Sequence, residues 1–222
     1  MEIKRYKELD YILREPSQTN NDGEKYPLVI YLHGAGGRGR DLSLLTNHSF
    51  LYHSEKHLTG AFSVMPQCYA DSWFDIFEQL QDFIEFIISD DRIDATRVYL
   101  VGASMGGYGT WQMAMSRPEL FAAIVPICGG GMYWNSGRLL NMGVWAFHGD
   151  SDPTVSCEES KKMVDGIKIR GGKRARLTIF ENTPHNAWTP TFQSEEMWKW
   201  LLEQRNLYTE TKNEHNDVEK YG

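Results

Sequence analysis

A serine inside a glycine-flanked pentapeptide is the residue of this chain best suited to covalent chemistry. Residues 102–106 read Gly-Ala-Ser-Met-Gly and directly follow the apolar run at 97–101. A strand, a sharp turn and a helix in this order would hold the hydroxyl of Ser104 clear of the sheet, because small residues on both sides permit the turn. The pattern therefore predicts that Ser104 is a nucleophile.

A nucleophilic serine needs two partners, because its hydroxyl is weakly nucleophilic at neutral pH. A histidine must take the proton, and an acid must orient that histidine. In this strand–turn–helix setting the acid and then the histidine follow the serine along the chain. An apolar stretch at 144–148 ends in a loop with Asp150 and Asp152, and a second stretch at 175–180 precedes His185. The required order is met, with two candidate acids.

A glycine-rich turn could stabilise the negative charge that develops when a serine attacks a carbonyl group. Residues 33–37, His-Gly-Ala-Gly-Gly, follow the apolar stretch at 28–32. Such a turn can aim a backbone N–H at an oxyanion. We expect the N–H of Ala35 to be one donor, with Gly36 as the alternative. The second is the N–H of Met105, at the start of the helix after the serine, where the helix dipole also favours negative charge.

Two of the remaining histidines are assigned structural roles, and three others are assigned none. His33 and His148 each precede a glycine at a strand end, where we expect their rings to bond to loop backbone. His48, His53 and His57 lie in a polar stretch without the carboxylates that would complete a zinc site. We therefore expect no metal and no other cofactor.

Aromatic residues flank the predicted strand ends and motifs and are candidates for a substrate pocket that stacks on an aromatic or sugar group. The candidates are Trp73, Tyr108, Trp134 and Trp188. Packing beneath the loops is the alternative interpretation of the same side chains.

Strand-like and helix-like segments alternate along the chain, which indicates a mainly parallel sheet covered on both faces. The predicted strands lie near 9–14, 27–32, 61–66, 97–102, 121–127, 143–148 and 175–181. The predicted helices lie near 41–48, 73–89, 105–116, 157–169 and 191–204.

Composition agrees with a single domain. The chain has 222 residues, 41% of them hydrophobic, which can bury one sizeable core. We expect one domain over 1–205 and a frayed polar tail over 206–222. The net charge of −7 and the absence of a basic stripe argue against a nucleic-acid partner. Three cysteines cannot all pair within one chain, which fits a reducing compartment. No apolar run has the length of a signal peptide or membrane span. We therefore expect a cytoplasmic protein with no membrane partner. The sequence leaves its oligomeric state open.

Four strings in this order, YLHGAGGRG, GASMGGYGTW, HGDSDPTV and HNAW, resemble the α/β-hydrolase superfamily. They are most similar to small bacterial esterases of the phospholipase/carboxylesterase type, which are related to dienelactone hydrolases, feruloyl esterases and the catalytic domains of prolyl oligopeptidases. The resemblance covers residues 25–204. In that family's HGDxD pattern the second aspartate is the acid, so the resemblance implies a triad of Ser104, Asp152 and His185.

The resemblance also implies the fold and the activity. It implies an α/β-hydrolase fold and a carboxylesterase-type serine hydrolase that works through an acyl-enzyme. Only residues 129–142 separate Cys128 from the next predicted strand, which leaves no room for a cap domain. An open site suits a small-molecule or short-acyl ester, an aryl or sugar ester included. The alternatives are a peptidase or thioesterase of this fold, and a binding protein that keeps the fold without catalysis.

Overall fold

The central strands of this protein are apolar on both faces. In β3 (Tyr26–Leu32), Leu28 and Ile30 pack into one core while Val29 and Tyr31 pack into a second core on the opposite face. Side chains alternate between the two faces of a strand, so such a strand needs a helical layer on each side. The computed structural model describes residues 1–18 and 23–208, and it shows that arrangement.

The sheet has eight strands in the order β1-β2-β4-β3-β5-β6-β7-β8. β1 and β2 pair antiparallel, as do β2 and β4, and every other neighbouring pair is parallel. The strands are β1 (Glu2–Tyr6), β2 (Leu9–Arg14), β3 (Tyr26–Leu32), β4 (Phe62–Pro66), β5 (Ile93–Ala103), β6 (Ala123–Ile127), β7 (Gly143–Gly149) and β8 (Ala175–Phe180).

Helices α3, α4 and α5 contribute to the core on one face, and α1, α2, α6 and α7 to the core on the other. The helices are α1 (Ser43–Thr46), α2 (Ser49–His57), α3 (Phe77–Ile88), α4 (Met105–Ser116), α5 (Glu158–Ile169), α6 (Trp188–Gln193) and α7 (Glu195–Glu203). Short 3₁₀ helices cover Ala35–Gly37, Pro118–Leu120 and Tyr133–Leu139. The predicted mainly parallel sheet with helices on both faces is confirmed.

The stretch between β6 and β7 is described throughout, and its regular structure is the 3₁₀ helix Tyr133–Leu139. This described stretch, 128–142, therefore holds no inserted cap domain. Among the described residues, none of the helices combines the length and the apolar character needed to cross a bilayer.

Several elements differ from their predicted bounds. β1 is not predicted, because its largely exposed side chains give no apolar pattern. The predicted helix at 41–48 is the shorter α1, and α2 follows it, with Nδ1 of His48 accepting the N–H of Phe50 at 3.1 Å. The predicted helix at 191–204 is two helices, because Ser194 is extended and its Oγ accepts the N–H of Met197 at 3.2 Å.

The predicted polar tail begins with a packed residue. Asn206 is buried, its backbone N–H donates to the Thr96 carbonyl at 3.0 Å, and its Nδ2 donates to the Glu119 carbonyl at 2.7 Å. The prediction of a frayed tail from 206 is wrong at this residue, since the amide side chain finds buried backbone acceptors. Tyr208 is also half-buried, and its hydroxyl donates to the Arg138 carbonyl at 2.7 Å. The remainder of the predicted tail, residues 209–222, lies outside the described residues.

Candidate active site

The turn between β5 and α4 holds Ser104 in a left-handed backbone conformation, with φ 56° and ψ −118°. A non-glycine residue rarely adopts such a conformation, and where one does, the surrounding structure enforces it, commonly at a functional site. Ser104 precedes the first residue of α4, so its side chain stands at the carboxyl edge of the sheet and at the start of the helix.

The two glycines of the pentapeptide are required by close contacts between α4 and the sheet. A Cβ on Gly106 would lie 1.9 Å from the carbonyl oxygen of Leu32 in β3. A Cβ on Gly102 would lie 2.3 Å from the carbonyl oxygen of Gly106. Any side chain at either position would push the helix off the strands, so both glycines fix the turn that carries Ser104.

The structure brings Ser104, His185 and Asp152 together at the carboxyl ends of β5, β8 and β7. Oγ of Ser104 lies 2.8 Å from Nε2 of His185, and Nδ1 of His185 lies 2.6 Å from Oδ2 of Asp152. Asp150, the other candidate acid, is exposed and accepts a hydrogen bond from Oγ of Ser151 at 2.8 Å. Of the two aspartates, Asp152 is therefore the one in contact with the histidine.

These contacts determine the tautomer of a neutral His185. Nδ1 faces a carboxylate oxygen, which can only accept, so the ring proton lies on Nδ1. The lone pair of Nε2 is then directed at the Ser104 hydroxyl and can accept its proton. This arrangement can supply a nucleophile, a base and an acid that orients the base.

The carboxylate of Asp152 is buried, and its hydrogen bonds stabilise its charge. Burial by itself raises the pKa of Asp152, but hydrogen bonds from the His185 ring and from the N–H groups of Val155 and Thr154 outweigh it and hold the pKa below its ordinary value. Oδ1 accepts the N–H of Thr154 at 2.8 Å and that of Val155 at 2.9 Å. Asp152 therefore stays ionised beside the histidine.

A cysteine that sequence reasoning left without a role lies behind the acid and the base. The thiol of Cys128 donates to the His185 carbonyl at 3.1 Å, and Cys128 has a left-handed backbone with φ 47°. Burial raises the pKa of this thiol to about 12, so it is protonated and serves as a donor. The polar atoms of Cys128, Asp152 and His185 lie within 4.8 Å of one another, and the acid and the base are bonded to each other there.

The two backbone groups predicted to bind an oxyanion lie at helix starts beside the serine. Ala35 is the first residue of the 3₁₀ helix Ala35–Gly37, and Met105 is the first residue of α4. N–H groups in the first turn of a helix have no acceptor within that helix. Gly34 touches the serine closely, since a Cβ built on it would lie 3.4 Å from Cβ of Ser104. Met105 follows Ser104 in the chain, and Ala35 lines the same cavity as Ser104, so both predicted groups lie at helix starts beside the serine.

A cavity of about 420 Å³ opens beside the serine. Ser104 and His185 line it together with Ala35, Gly36 and Trp188. Trp188 meets the His185 ring edge-on, with ring centroids 5.5 Å apart.

The other predicted pocket residues lie elsewhere. Trp73 is fully buried, and its Nε1 donates to the His33 carbonyl at 3.0 Å. It therefore packs beneath the glycine-rich loop, and the prediction that it lines the pocket is wrong. Tyr108 lines a separate apolar cleft of about 460 Å³ with Phe74 and Met132. Trp134 is 63% exposed, on the 3₁₀ helix after β6.

His33 and His148 bond to loop backbone, as their positions predict. Nδ1 of His33 donates to the Gly34 carbonyl at 2.7 Å, and its Nε2 accepts the N–H of Cys68 at 2.9 Å. Nε2 of His148 donates to the Val155 carbonyl at 2.9 Å. His148 also lies 3.3 Å from Asp152, a contact that its position in the sequence does not reveal.

Comparisons with known proteins agree with this fold. The profile of the prolyl oligopeptidase family matches residues 70–136. A thermostable esterase of known structure is 36% identical, with a TM-score of 0.81, over 89% of this chain and 59% of its own. Est1E from Butyrivibrio proteoclasticus is 17% identical, with a TM-score of 0.67, over 88% of this chain and 93% of its own. The poly(3-hydroxyalkanoate) depolymerase C of Paucimonas lemoignei is 29% identical over 47% of this chain and 28% of its own length.

The motif-based resemblance is confirmed: the chain has the α/β-hydrolase fold, with esterases among its structural neighbours. The chain spans about a quarter of the depolymerase and about three fifths of the thermostable esterase chain.

Proposed function

We propose that this protein is a serine carboxylic ester hydrolase in which Ser104, His185 and Asp152 form the catalytic triad. The observation that carries the proposal is the continuous path from the Ser104 hydroxyl through both nitrogens of His185 to Asp152, with heavy-atom distances of 2.8 and 2.6 Å. The esterases among its structural neighbours support the same conclusion.

In the proposed reaction, Ser104 attacks the ester carbonyl while Nε2 of His185 takes the hydroxyl proton. Asp152 stabilises the resulting imidazolium and keeps the ring proton on Nδ1. The N–H groups of Ala35 and Met105 stabilise the oxyanion. His185 then protonates the departing alcohol, and a water molecule, activated in the same way, releases the acid from the acyl-enzyme.

The size and the walls of the cavity favour small esters. A volume of about 420 Å³ lies at the lower end of the range for ligand sites. Between β6 and β7, where every residue is described, no cap is inserted that could desolvate a long acyl chain along its length. Trp188 adds an aromatic surface next to the base, which favours an aryl group. Est1E, a neighbour of the same fold, has been solved with ferulic acid bound, and this supports an aryl ester as substrate.

Peptidase activity is a second candidate, because the match to the prolyl oligopeptidase family includes Ser104 and the whole of α4. Amide hydrolysis needs the same nucleophile and base. A comparison of turnover rates distinguishes an esterase from a peptidase and from a thioesterase. An amide or a thioester turned over faster than the oxygen ester with the same acyl group would indicate a peptidase or a thioesterase.

We also propose that the protein works in a reducing compartment such as the cytoplasm. The thiols of Cys68, Cys128 and Cys157 are all free. Disulfides are rare in the cytosol, where thiols stay reduced.

The proposal is tested by hydrolysis of p-nitrophenyl esters from acetate to long acyl chains. We expect turnover that is fastest for short chains, with a burst of p-nitrophenol as the acyl-enzyme forms. Ser104→Ala should lower kcat by at least about 10³-fold. Ser116→Ala, a serine at the other end of the same helix, is the matched control and should leave kcat unchanged. Equal turnover by the Ser104→Ala variant would contradict the proposal.

A further inference from the structure

A second imidazole contacts the carboxylate oxygen that binds His185. Nε2 of His148, near the end of β7, lies 3.3 Å from Oδ2 of Asp152, the oxygen that lies 2.6 Å from Nδ1 of His185. The side chains of His148 and Asp152 are both fully buried. A buried carboxylate is destabilising unless it is paired or hydrogen-bonded, so each donor to Asp152 matters.

The surroundings of His148 determine which of its nitrogens carries the proton. Nε2 faces two acceptors, the Val155 carbonyl at 2.9 Å and Oδ2 of Asp152, so it is a donor. Burial lowers the pKa of His148, so the ring is neutral and Nδ1 has a lone pair. Nδ1 lies 2.8 Å from Oγ of Ser160 in α5, whose one hydroxyl proton can go to this lone pair or to the Gly129 carbonyl at 3.0 Å. The ring thus lies between the Asp152 loop and α5.

His148 contacts two residues of the loop that presents the carboxylate, Asp152 and Val155. The N–H of Val155 donates to Oδ1 of Asp152, while the carbonyl of Val155 accepts the Nε2 proton of His148. Without His148, the loop would lose its contact at Val155 and Oδ2 would lose a neighbouring donor. The carboxylate could then turn away from His185, whose tautomer and orientation depend on it.

We propose that His148 is a positioning residue for the acid–base pair: its Nε2–H, held at the Val155 carbonyl, fixes the Asp152 carboxylate in the orientation that binds His185. This inference rests on the proposed hydrolase function. Its chemistry is that of an outer hydrogen-bond partner, which acts on the reaction through Asp152 and does not touch the substrate.

Three variants at this position separate the donor from the shape of the ring. Gln places an amide N–H near the position of Nε2 and can serve both acceptors. Asn is polar but too short to reach Val155 or Asp152, and Leu has no donor. We expect His148→Gln to keep kcat within about threefold of the original. We expect His148→Asn and His148→Leu each to lower kcat by about 10- to 100-fold, with KM within about twofold. This is the range seen when a residue that hydrogen-bonds to an active-site side chain is lost.

The control is His57→Leu. His57 lies in α2, where its ring stacks on Trp198 at 5.7 Å, away from the acid and the base. The His57→Leu variant should leave kcat unchanged. If His148→Leu does not fold, the comparison of Asn with Gln gives the same test. The proposal is overturned if the Asn and Leu variants that fold keep full kcat, or if Gln loses as much kcat as Asn.

A second readout does not require turnover. The proton in the short bond between Nδ1 of His185 and Asp152 should give a far-downfield ¹H NMR resonance, assigned by its loss in His185→Gln. We expect this resonance in His148→Gln and its loss or strong broadening in His148→Asn. An unchanged resonance in the Asn variant would overturn the proposal. A chain that hydrolyses no ester but shows the expected NMR pattern would contradict the proposed function while supporting the role of His148.

Discussion

The Ser104 hydroxyl lies 2.8 Å from Nε2 of His185, although the two residues are 81 positions apart in the sequence. Ser104 follows β5 and His185 follows β8, and β6 and β7 lie between these strands in the sheet. The contact therefore depends on the parallel order of four strands and on the left-handed backbone at Ser104. Neither loop fixes this distance alone. Substitutions in the turn and substitutions at Asp152 should therefore both disturb the contact between Ser104 and His185.

Asp152→Asn should lower kcat by about 10³- to 10⁴-fold, because an amide in place of the carboxylate stabilises the wrong tautomer of the histidine. The matched control is Asp150→Asn, two residues earlier in the same loop, where the carboxylate is exposed and bonds to Ser151. It should change kcat by less than about twofold. Steady-state kinetics on p-nitrophenyl acetate measures both. A larger loss at position 150 than at 152 would reverse the assignment of the acid.

Gly106→Ala should destabilise the fold by about 3 kcal/mol or more, because the added methyl group would lie 1.9 Å from the Leu32 carbonyl oxygen. Gly60→Ala is the matched control, since a Cβ there has nothing within 4 Å. Urea unfolding followed by tryptophan fluorescence compares the free energies of unfolding. If Gly106→Ala is as stable as Gly60→Ala, then α4 does not approach β3 as closely as described.

The sequence predicts the central parallel strands and the nucleophile turn well, because apolar runs such as 97–101 and the glycines beside Ser104 leave few alternatives. It fails where the deciding partner is distant in sequence. Trp73 looks the same in sequence whether it lines a pocket or packs beneath the loop that carries His33. The contact of His148 with Asp152 depends on the path of the loop after β7, which no periodicity encodes.

Trp188→Ala should raise KM for aryl esters more than KM for acetyl esters, because an aryl group placed in the cavity would lose its aromatic surface. Trp134→Ala is the control, since Trp134 is 63% exposed on the 3₁₀ helix after β6. Its KM values should not change. Matched feruloyl and acetyl esters of one alcohol provide the measurement. Equal effects of Trp188→Ala on both esters would remove the support for an aryl substrate.

The free energy of unfolding should fall as the pH is lowered from 6.5 toward 4. Burial lowers the pKa of His33 and that of His48 to about 4, whereas in the unfolded chain both titrate near 6.5. Between these values the unfolded chain binds more protons, so it is favoured as the pH decreases. Each histidine contributes up to about 1.4 kcal/mol per pH unit in this window.

Urea unfolding at pH 7.5, 5.5 and 4.5 measures this dependence, and His48→Gln should reduce its slope by up to one proton. The difference between the two proteins at pH 7.5, where both histidines are neutral, gives the structural cost of the substitution and serves as the baseline. An unchanged slope in the variant would show that His48 does not titrate differently in the folded and unfolded chains.

The central claim is that His185 activates Ser104 as a nucleophile, and covalent labelling tests it most directly. The protein is treated with diethyl p-nitrophenyl phosphate, released p-nitrophenol is counted, and the modified peptide is identified by mass spectrometry. We predict one equivalent of p-nitrophenol per chain, one adduct on Ser104, and labelling at least about 10²-fold slower in His185→Gln. An adduct on another residue, or labelling at an unchanged rate in His185→Gln, would contradict the account.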